Sequence, residues 1–320
     1  MASLNQKMSI FVFGYALEIL IMKNKFFFAC LAFLILLLSA QGCASLSKSQ
    51  IKAIDSFSTS SEEFSQYPGL LFKEMVEIRM GRGLFFASSL SNPELRVEEL
   101  TALLAGLAND TSLAEKTDLS MEILGKYQRA LKILAGTARW QDVGVEFRSL
   151  GRNIDSLIER YNSLEIAESL PLGVGKLAGR VVGTVAESIN KRNQLNAVKG
   201  FVSAADTLIT SLVSDLSAIH SSPAVMALIQ NEDRGLDLNY ISYVKAGLSD
   251  DRGYLELRKR VEALKKMRAN TVSAAKRLAN SHSKIVTALA DKKKIDELYE
   301  ELLTLEREII TLRRIIGDIR

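Results

Sequence analysis

The most regular pattern in this 320-residue chain lies at its C-terminus. Between residues 295 and 319, aliphatic side chains recur at alternating intervals of three and four residues. This spacing places them on one face of an α-helix, and a stripe that persists for more than three heptads is typical of a coiled-coil seam. The pattern predicts a long helix that must bury one face against another helix. The seam consists of Ile295, Leu298, Leu302, Leu305, Ile309, Leu312, Ile316 and Ile319.

The sequence leaves the partner of this seam open. Isoleucine stands mostly at one seam position and leucine mostly at the other, which favours a parallel two-stranded coiled coil with a second copy or another protein. In a homodimer Glu308 would face Arg313, but Glu301 would face Glu306, so the charges do not decide. An intramolecular partner also exists, because apolar residues at similar spacing precede the seam: Leu257, Val261, Leu264, Ala275, Leu278, Ile285 and Leu289.

Most of the preceding chain also shows helical spacing. Residues 92–94 read Asn-Pro-Glu, a helix start with a capping side chain, proline at the first helical position and an acid in the first turn. Apolar residues at intervals of three and four mark further helices over about 119–134, 139–168 and 175–219. Residues 67–91 are apolar but interrupted by glycine, and we expect them to be irregular or only partly helical.

These segments together predict an all-α fold. Because long helices joined by short connections pack side by side, we expect an elongated bundle of long antiparallel helices that ends in the coiled-coil-like helix. Residues 43–66 are interpreted as a tether and short helix, 67–170 as an N-terminal helical region, and 171–320 as a long-helix bundle. A glycine- and aspartate-rich connection is expected over 235–253, after a short helix that begins at Pro223.

The N-terminus contains a secretory pattern. Met22 is followed by two lysines, a fifteen-residue uncharged run that ends at Ala40, and then Gln41, Gly42 and Cys43. A helix of fifteen residues is too short to span a bilayer, which needs about 20. The segment resembles the type II signal peptide of bacterial lipoproteins, which ends in a lipobox. Gly42 and Cys43 match that motif, whereas Ala40 and Gln41 depart from its commonest residues.

The resemblance implies a removed signal peptide over 1–42, with translation beginning at Met22 and cleavage after Gly42. It also implies a lipid, such as palmitate, on Cys43. In lipoproteins of this type an Asp after the cysteine favours the inner membrane, and here the residue is Ala44. The expected location is therefore the bacterial outer membrane, facing the periplasm. The inner membrane and plain secretion are the alternatives.

The charge and cysteine content exclude several partners and reactions. Removing residues 1–42 discards three lysines and one glutamate, which leaves 38 basic and 36 acidic residues in the mature chain. A nearly neutral chain without a basic cluster lacks the electrostatic footprint of a nucleic-acid-binding protein. Of the two cysteines, Cys30 lies in the discarded apolar run and Cys43 is the lipid site, so we expect no disulfide.

The glycine-rich stretch from Pro171 to Gly183 is the place where a nucleotide site would be sought. It lacks the glycine and the Ser or Thr of a Walker loop, and no strand precedes it. Gly175, Gly179 and Gly183 instead recur at four-residue intervals, which favours close packing of one helix on another. A membrane-inserting hairpin is the alternative interpretation.

No constellation in the sequence indicates catalysis. The two histidines, His220 and His282, have no acids or cysteines at ligand spacing, and the acids of 235–253 do not follow the calcium-loop pattern. The sequence predicts no enzyme activity, no cofactor and no metal. The favoured function is a lipid-anchored structural or adaptor module that binds an envelope protein or forms a homodimer through its C-terminal helix. A membrane-active protein resembling α-helical pore formers and a periplasmic ligand-sensing domain are the alternatives.

Overall fold

The computed structural model describes residues 46–106, 111–136, 140–164, 170, 191–291 and 294–319. Over these ranges the chain is all-α, as the sequence predicts, and no strand is present. All described residues belong to one compact unit, Ser45–Arg320. The described ranges hold nine helices: α1 Lys48–Phe64, α2 Leu70–Ser89, α3 Pro93–Gly106, α4 Thr111–Ala135, α5 Trp140–Ser163, α6 Lys191–Ser221, α7 Pro223–Lys245, α8 Asp251–Ala290 and α9 Ile295–Gly317.

The longest of these helices, α8, is the element on which the others assemble. Its 40 residues extend for about 60 Å at 1.5 Å per residue. Five helices pack against it: α1, α2, α6, α7 and α9. Its apolar residues contribute to two separate hydrophobic cores, which are joined through α8 itself.

The first core is formed by α1, α4, α5, α6, the C-terminal half of α8 and most of α9. Large aromatic side chains fill its centre, including Phe57, Tyr127 and Phe201. The second core is formed by α2, α7, the N-terminal half of α8 and the last turns of α6 and α9. Helices of the predicted 67–170 and 171–320 regions contribute to both cores, so neither core belongs to one region alone.

The C-terminal seam faces the interior of the same chain. Six of its residues are buried, and Ile295 and Ile319 are partly buried against the first and second core. The helices that cover the seam are α8 and α1. Polar contacts fix this arrangement, since Ser273 of α8 donates to Glu308 at 2.9 Å and Tyr299 donates to the Ser49 carbonyl at 3.0 Å. The intramolecular alternative is therefore the one seen in the fold.

Two segments differ from expectation. Residues 67–91, expected to be irregular or partly helical, are helical over most of their length in the 20-residue helix α2, and α7 continues without a break to Lys245 where a connection was expected. In both cases tertiary packing overrides the weak helix propensity of glycine and aspartate. The glycine at 83 leaves room for Leu103 of α3, and Asp233 and Asp237 pair with Arg258 of α8.

The turn between α7 and α8 is shorter than the sequence suggests. Gly247 adopts a positive φ of 81°, a conformation that only glycine enters without strain, and it follows the last turn of α7. The Asp250 side chain then caps α8 by accepting from the Gly253 amide at 2.9 Å. At Pro93 the predicted helix start is present, with the Asn92 side chain accepting from the Glu94 amide at 2.8 Å.

Several predicted site residues lie outside the described residues. These are the cleavage and lipid sites, Gly42 and Cys43, and the three glycines Gly175, Gly179 and Gly183. Their assigned roles stay predictions.

Candidate functional site

An exposed apolar surface lies on the second half of α7, a helix that packs against α2 and α8. Leu238, Ile241 and Val244 are 64%, 49% and 48% exposed, and their three-residue spacing places them on one face. The opposite face of α7 carries Val225, Ile229 and Leu236, which are buried in the second core. We call the three exposed residues the α7 stripe.

Further apolar side chains are exposed near the ends of α7 and α8. Leu248 lies in the turn between α7 and α8 and Leu255 lies in the second turn of α8, and both are exposed. Helix α3 packs on α2, and its Leu95, Val97 and Leu104 are exposed as well. Scattered exposed leucines are normal on any protein, but several on one helix face are a feature of interaction surfaces.

A buried ion-pair network fixes the helix that presents the stripe. Glu232 of α7 is 1% exposed and accepts from Arg79 Nε at 2.8 Å and from Arg82 Nε at 2.5 Å, both on α2. Asn239 donates to the Arg82 carbonyl at 2.9 Å. A buried carboxylate is tolerated only when such partners replace its lost hydration. The contacts therefore hold α7 in one position against α2.

A second set of charges ties α7 to α8. Arg258 contacts both Asp233 and Asp237, and Lys265 Nζ lies 2.8 Å from Asp233. Burial acts to raise the pKa of Asp233, but Lys265 and Arg258 outweigh it and lower that pKa below its ordinary value. The carboxylate thus stays ionised and paired at any pH near neutrality.

Aromatic rings complete the support at the end of α7. Tyr240 stacks on Tyr254 of α8 with ring centroids 4.5 Å apart, and Phe85 of α2 lies 5.1 Å from Tyr240 and from Tyr243. Such ring pairs add to the free energy of apolar burial. The α7 stripe is consequently the outer face of an element whose inner face is fixed by ion pairs and stacked rings.

His282 lies in a buried chain of hydrogen bonds that local sequence patterns do not show. Its Nε2 is 2.7 Å from the Tyr127 hydroxyl and its Nδ1 is 2.9 Å from Asp206 Oδ1. The carboxylate can only accept, so the Nδ1–H of His282 donates to it. The hydrogen bond from His282 lowers the pKa of Asp206, and burial raises the pKa of Tyr127 well above its ordinary value.

The sequence places no acid or cysteine at ligand spacing from His282, and in the folded chain its acid partner comes from a distant helix. Its partners are 155 and 76 residues away in sequence, on α4 and α6, so no local spacing could show them. The imidazole packs beside Phe57, with ring centroids 6.0 Å apart, inside the first core. This arrangement joins three helices through hydrogen bonds.

A buried lysine forms a similar contact between α4, α5 and α6. Lys116 is buried with its Nζ 4.3 Å above the ring of Tyr161, and the Tyr161 hydroxyl donates to Asp215 at 2.7 Å. Burial lowers the pKa of Lys116, opposed by the charge of Asp215, and burial with the Asp215 hydrogen bond raises the pKa of Tyr161. The cluster is satisfied internally by a cation–π contact and a hydrogen bond.

A groove of about 520 Å³ lies between the start of α1 and the end of α4. We call it the α1–α4 groove. It combines an apolar floor with lysines at the rim, unlike the purely apolar α7 stripe. Its lining consists of Lys48, Ile51, Lys52, Ile54, Asp55, Lys132, Ala135 and Gly136.

Within the described ranges, no group of three or more His, Cys, Asp or Glu side chains could hold a metal ion. One stretch, Gln194–Lys245, is long and apolar enough by length and composition to cross a membrane, a test that the core helix of a soluble protein also passes. Its first part, α6, contributes buried residues such as Phe201, Leu208 and Leu212 to the first core.

Comparisons with known proteins add no relative to this description. A scan against protein-family models finds no match, and neither the curated proteins nor the solved structures contain a match. The functional argument therefore rests on the surfaces of this chain.

Proposed function

We propose that this protein is a lipid-anchored, periplasm-facing interaction module of the bacterial envelope, which binds another protein through the α7 stripe. The observation that carries the proposal is the stripe itself, three aliphatic side chains about half exposed on a helix whose inner face is fixed. A rigid apolar surface binds with a small entropy cost, because little has to be ordered on association. The partner segment that fits this surface is a helix or loop with an apolar face.

The anchoring part of the proposal comes from the N-terminal motif. A lipid on Cys43 would be joined to α1 by residues 44–47 only, because α1 begins at Lys48. Helix α1 is itself packed into the first core through Ile54, Phe57 and Phe64. A chain tethered in this way would hold the start of α1, which packs beside the last turn of α8, at the membrane surface. The stripe, which lies beside the first turns of α8, would then point away from the membrane at the other end of that helix.

The buried seam changes which part of the C-terminal helix can contact a partner. Because the seam faces α8 and α1, a homodimer or envelope partner at α9 would have to use its outer face. Leu303 and Ile310 are the large apolar residues exposed on that face, and they are 51% and 40% exposed. Two residues offer less apolar surface than the α7 stripe and its neighbours.

Pull-down from detergent-solubilised envelope tests the docking surface. Leu238→Glu with Ile241→Glu should abolish capture of any partner, since a charge on an apolar contact is left desolvated and unpaired. Leu303→Glu with Ile310→Glu is the matched control, because it places the same two charges on the two exposed large aliphatic residues of α9. Both variants should keep the helical circular dichroism of the parent. Loss of capture in the α9 variant alone would move the docking site to α9.

Metabolic labelling with palmitate tests the anchor. Label should enter the protein and disappear in Cys43→Ser, and the variant should leave the membrane fraction. Cys30→Ser, a change in the segment expected to be removed, should keep the label and the membrane location. Label that persists in Cys43→Ser would refute the lipoprotein assignment.

A membrane-active protein is the second candidate function. The stretch Gln194–Lys245 favours it, because it is apolar enough to enter a bilayer if it left the core. That step would expose the first core and break the contacts of Glu232. Release of dye from liposomes by the unlipidated protein would support this function, and intact liposomes at micromolar protein would exclude it.

A further inference from the structure

The α1–α4 groove combines an apolar floor with a basic rim. Ile51, Ile54 and Ala135 form the floor. Three lysines line the groove, Lys48 and Lys52 from α1 and Lys132 from the last turn of α4. Asp55 is the one acid among the lining residues, and its carboxylate is 3.6 Å from Lys132 Nζ. The lining therefore carries a net charge of +2.

Hydrogen bonds hold the walls of the groove in place. The Gln194 side-chain amide donates to the carbonyls of Leu134, Ala135 and Gly136 at 3.1, 3.1 and 2.9 Å, which satisfies the C-terminal end of α4. On the other wall, Ser47 and Gln50 form a capping box at the start of α1. The groove is thus a preformed surface of the folded chain.

We infer that this groove rests on the anionic phospholipid headgroups of the membrane to which Cys43 ties the chain. The inference rests on the proposed lipidation. Four residues lie between Cys43 and Lys48, and the five steps from one to the other reach at most about 18 Å, so the anchored bilayer is always within range of the groove.

Charge complementarity supports the same occupant. Lysines close to an anionic bilayer are attracted to lipid phosphates, and each adds about fivefold to the binding constant. Their aliphatic stems can cover apolar surface while the ammonium groups reach the headgroups. The half-buried Ile51 between Lys48 and Lys52 meets the boundary between headgroups and acyl chains. The lipid on Cys43 holds the protein at the membrane, and the groove determines which side of the protein faces the bilayer.

Lysine footprinting on the lipidated full-length protein tests this orientation. The protein is placed in vesicles of phosphatidylcholine alone or with about one third phosphatidylglycerol, and a membrane-impermeant amine reagent labels exposed lysines for mass spectrometry. Lys48, Lys52 and Lys132 should react at least fivefold more slowly in the anionic vesicles. Lys245, the last residue of α7, and Lys259, near the start of α8, are both exposed and should react equally in both vesicle types.

Charge reversal gives the matched variants. Lys48→Glu with Lys52→Glu should restore the reactivity of Lys132 in anionic vesicles, and acids in the first turns of α1 are compatible with the helix dipole. Lys245→Glu with Lys259→Glu should leave the protection of Lys132 unchanged. Circular dichroism of both variants shows whether the fold is kept.

Three outcomes would overturn the inference. Equal labelling of the groove lysines in both vesicle types, whether fast or slow, would show that anionic headgroups are not recognised. Protection that appears in phosphatidylcholine vesicles only after envelope proteins are added would assign the groove to a protein. Protection that survives the Lys48 and Lys52 reversal would exclude charge recognition. Failure of lipidation is a separate result, seen as protein that does not stay with phosphatidylcholine vesicles.

Discussion

Glu232 shows how a single charged residue fixes the neighbourhood of the α7 stripe. The side chain is almost fully buried and its two partners come from α2. We expect Glu232→Gln to lower the free energy of unfolding by about 3 kcal/mol, because it leaves two arginines without their buried counter-charge. Urea denaturation followed by circular dichroism measures this value.

An exposed ion pair provides the control for that substitution. Glu256 pairs with Arg252 at 3.2 Å, and both side chains are largely exposed. Glu256→Gln should change the free energy of unfolding by less than about 0.5 kcal/mol. Equal effects of the two substitutions would contradict a structural role for the Glu232 contacts.

His220 contributes a pH dependence to stability. Both ring nitrogens are buried without a hydrogen-bond partner, and burial together with the charge of Arg268 lowers its pKa from 6.5 to about 4. In the unfolded chain the ring binds a proton near pH 6.5, whereas the folded chain binds it only near pH 4. The contribution of the neutral His220 ring to the free energy of unfolding is therefore fully present above pH 6.5 and is lost as the pH falls from 6.5 towards 4.

The size of this effect can be measured by removing the ring. Each pKa unit corresponds to about 1.4 kcal/mol. The lowered pKa of His220 should therefore reduce the free energy of unfolding by about 3 kcal/mol as the pH falls from 6.5 to 4. In His220→Phe the free energy of unfolding should depend less on pH over this interval, by that amount. If parent and variant show the same slope between pH 4 and 6.5, the ring does not titrate as described.

At the scale of elements, α9 shows how a heptad seam divides one helix into two faces. Ile309 is 1% exposed in the first core, and the adjacent Ile310 is 40% exposed. The core isoleucine packs with residues of α8 and α1, whereas its neighbour in sequence faces outward. The different exposure of Ile309 and Ile310 therefore shows which face of α9 points into the core.

Alanine substitution of these two residues should separate the faces. Ile309→Ala should lower the free energy of unfolding by about 2–5 kcal/mol, because a buried side chain is replaced by a cavity. Ile310→Ala should cost less than about 1 kcal/mol. Chemical denaturation of both variants gives the comparison, and a larger cost for Ile310 would place the opposite face of α9 in the core.

Helices α2 and α7 contain glycines, which have a low intrinsic helix propensity, and they show that packing against other helices matters as much as that propensity. Helix α2 contains glycines at 81 and 83, and α7 contains one at 235. Side chains of neighbouring helices, Leu257, Leu103 and Arg82, lie close to where a Cβ would be at these positions. The glycines therefore allow close approach of other helices instead of interrupting their own.

At the scale of the whole molecule, α8 connects the two cores. Leu264 and Met267 lie in the second core, and Ala274 and Leu278 lie in the first. Because one continuous helix belongs to both, loss of either core removes packing from the other. We therefore expect one cooperative unfolding transition for the described unit.

Proline substitution between the cores tests this coupling. Ala269→Pro, at an exposed position of α8, should cost about 3 kcal/mol or more and should separate the transition into two. Ala269→Gly should cost about 1 kcal/mol and keep a single transition. Calorimetry and circular dichroism provide the comparison. A single unshifted transition in Ala269→Pro would show that the cores do not depend on a continuous α8.

The sequence by itself determined the all-α class and the helical faces, because a period of three to four residues dictates which side chains share one side of a helix. The seam over 295–319 follows from this local rule. The helix start at Asn92 follows from another local rule, that of the capping side chain followed by proline.

Tertiary structure alone decided what those faces contact. The seam is buried against α8 and α1 because those helices offer complementary apolar surface in the same chain. Glu232 and His282 have partners more than 70 residues away, and no local spacing encodes such distances. The α7 stripe becomes visible only after the other face of α7 is covered, since exposure is a property of the packed molecule and not of a helix alone.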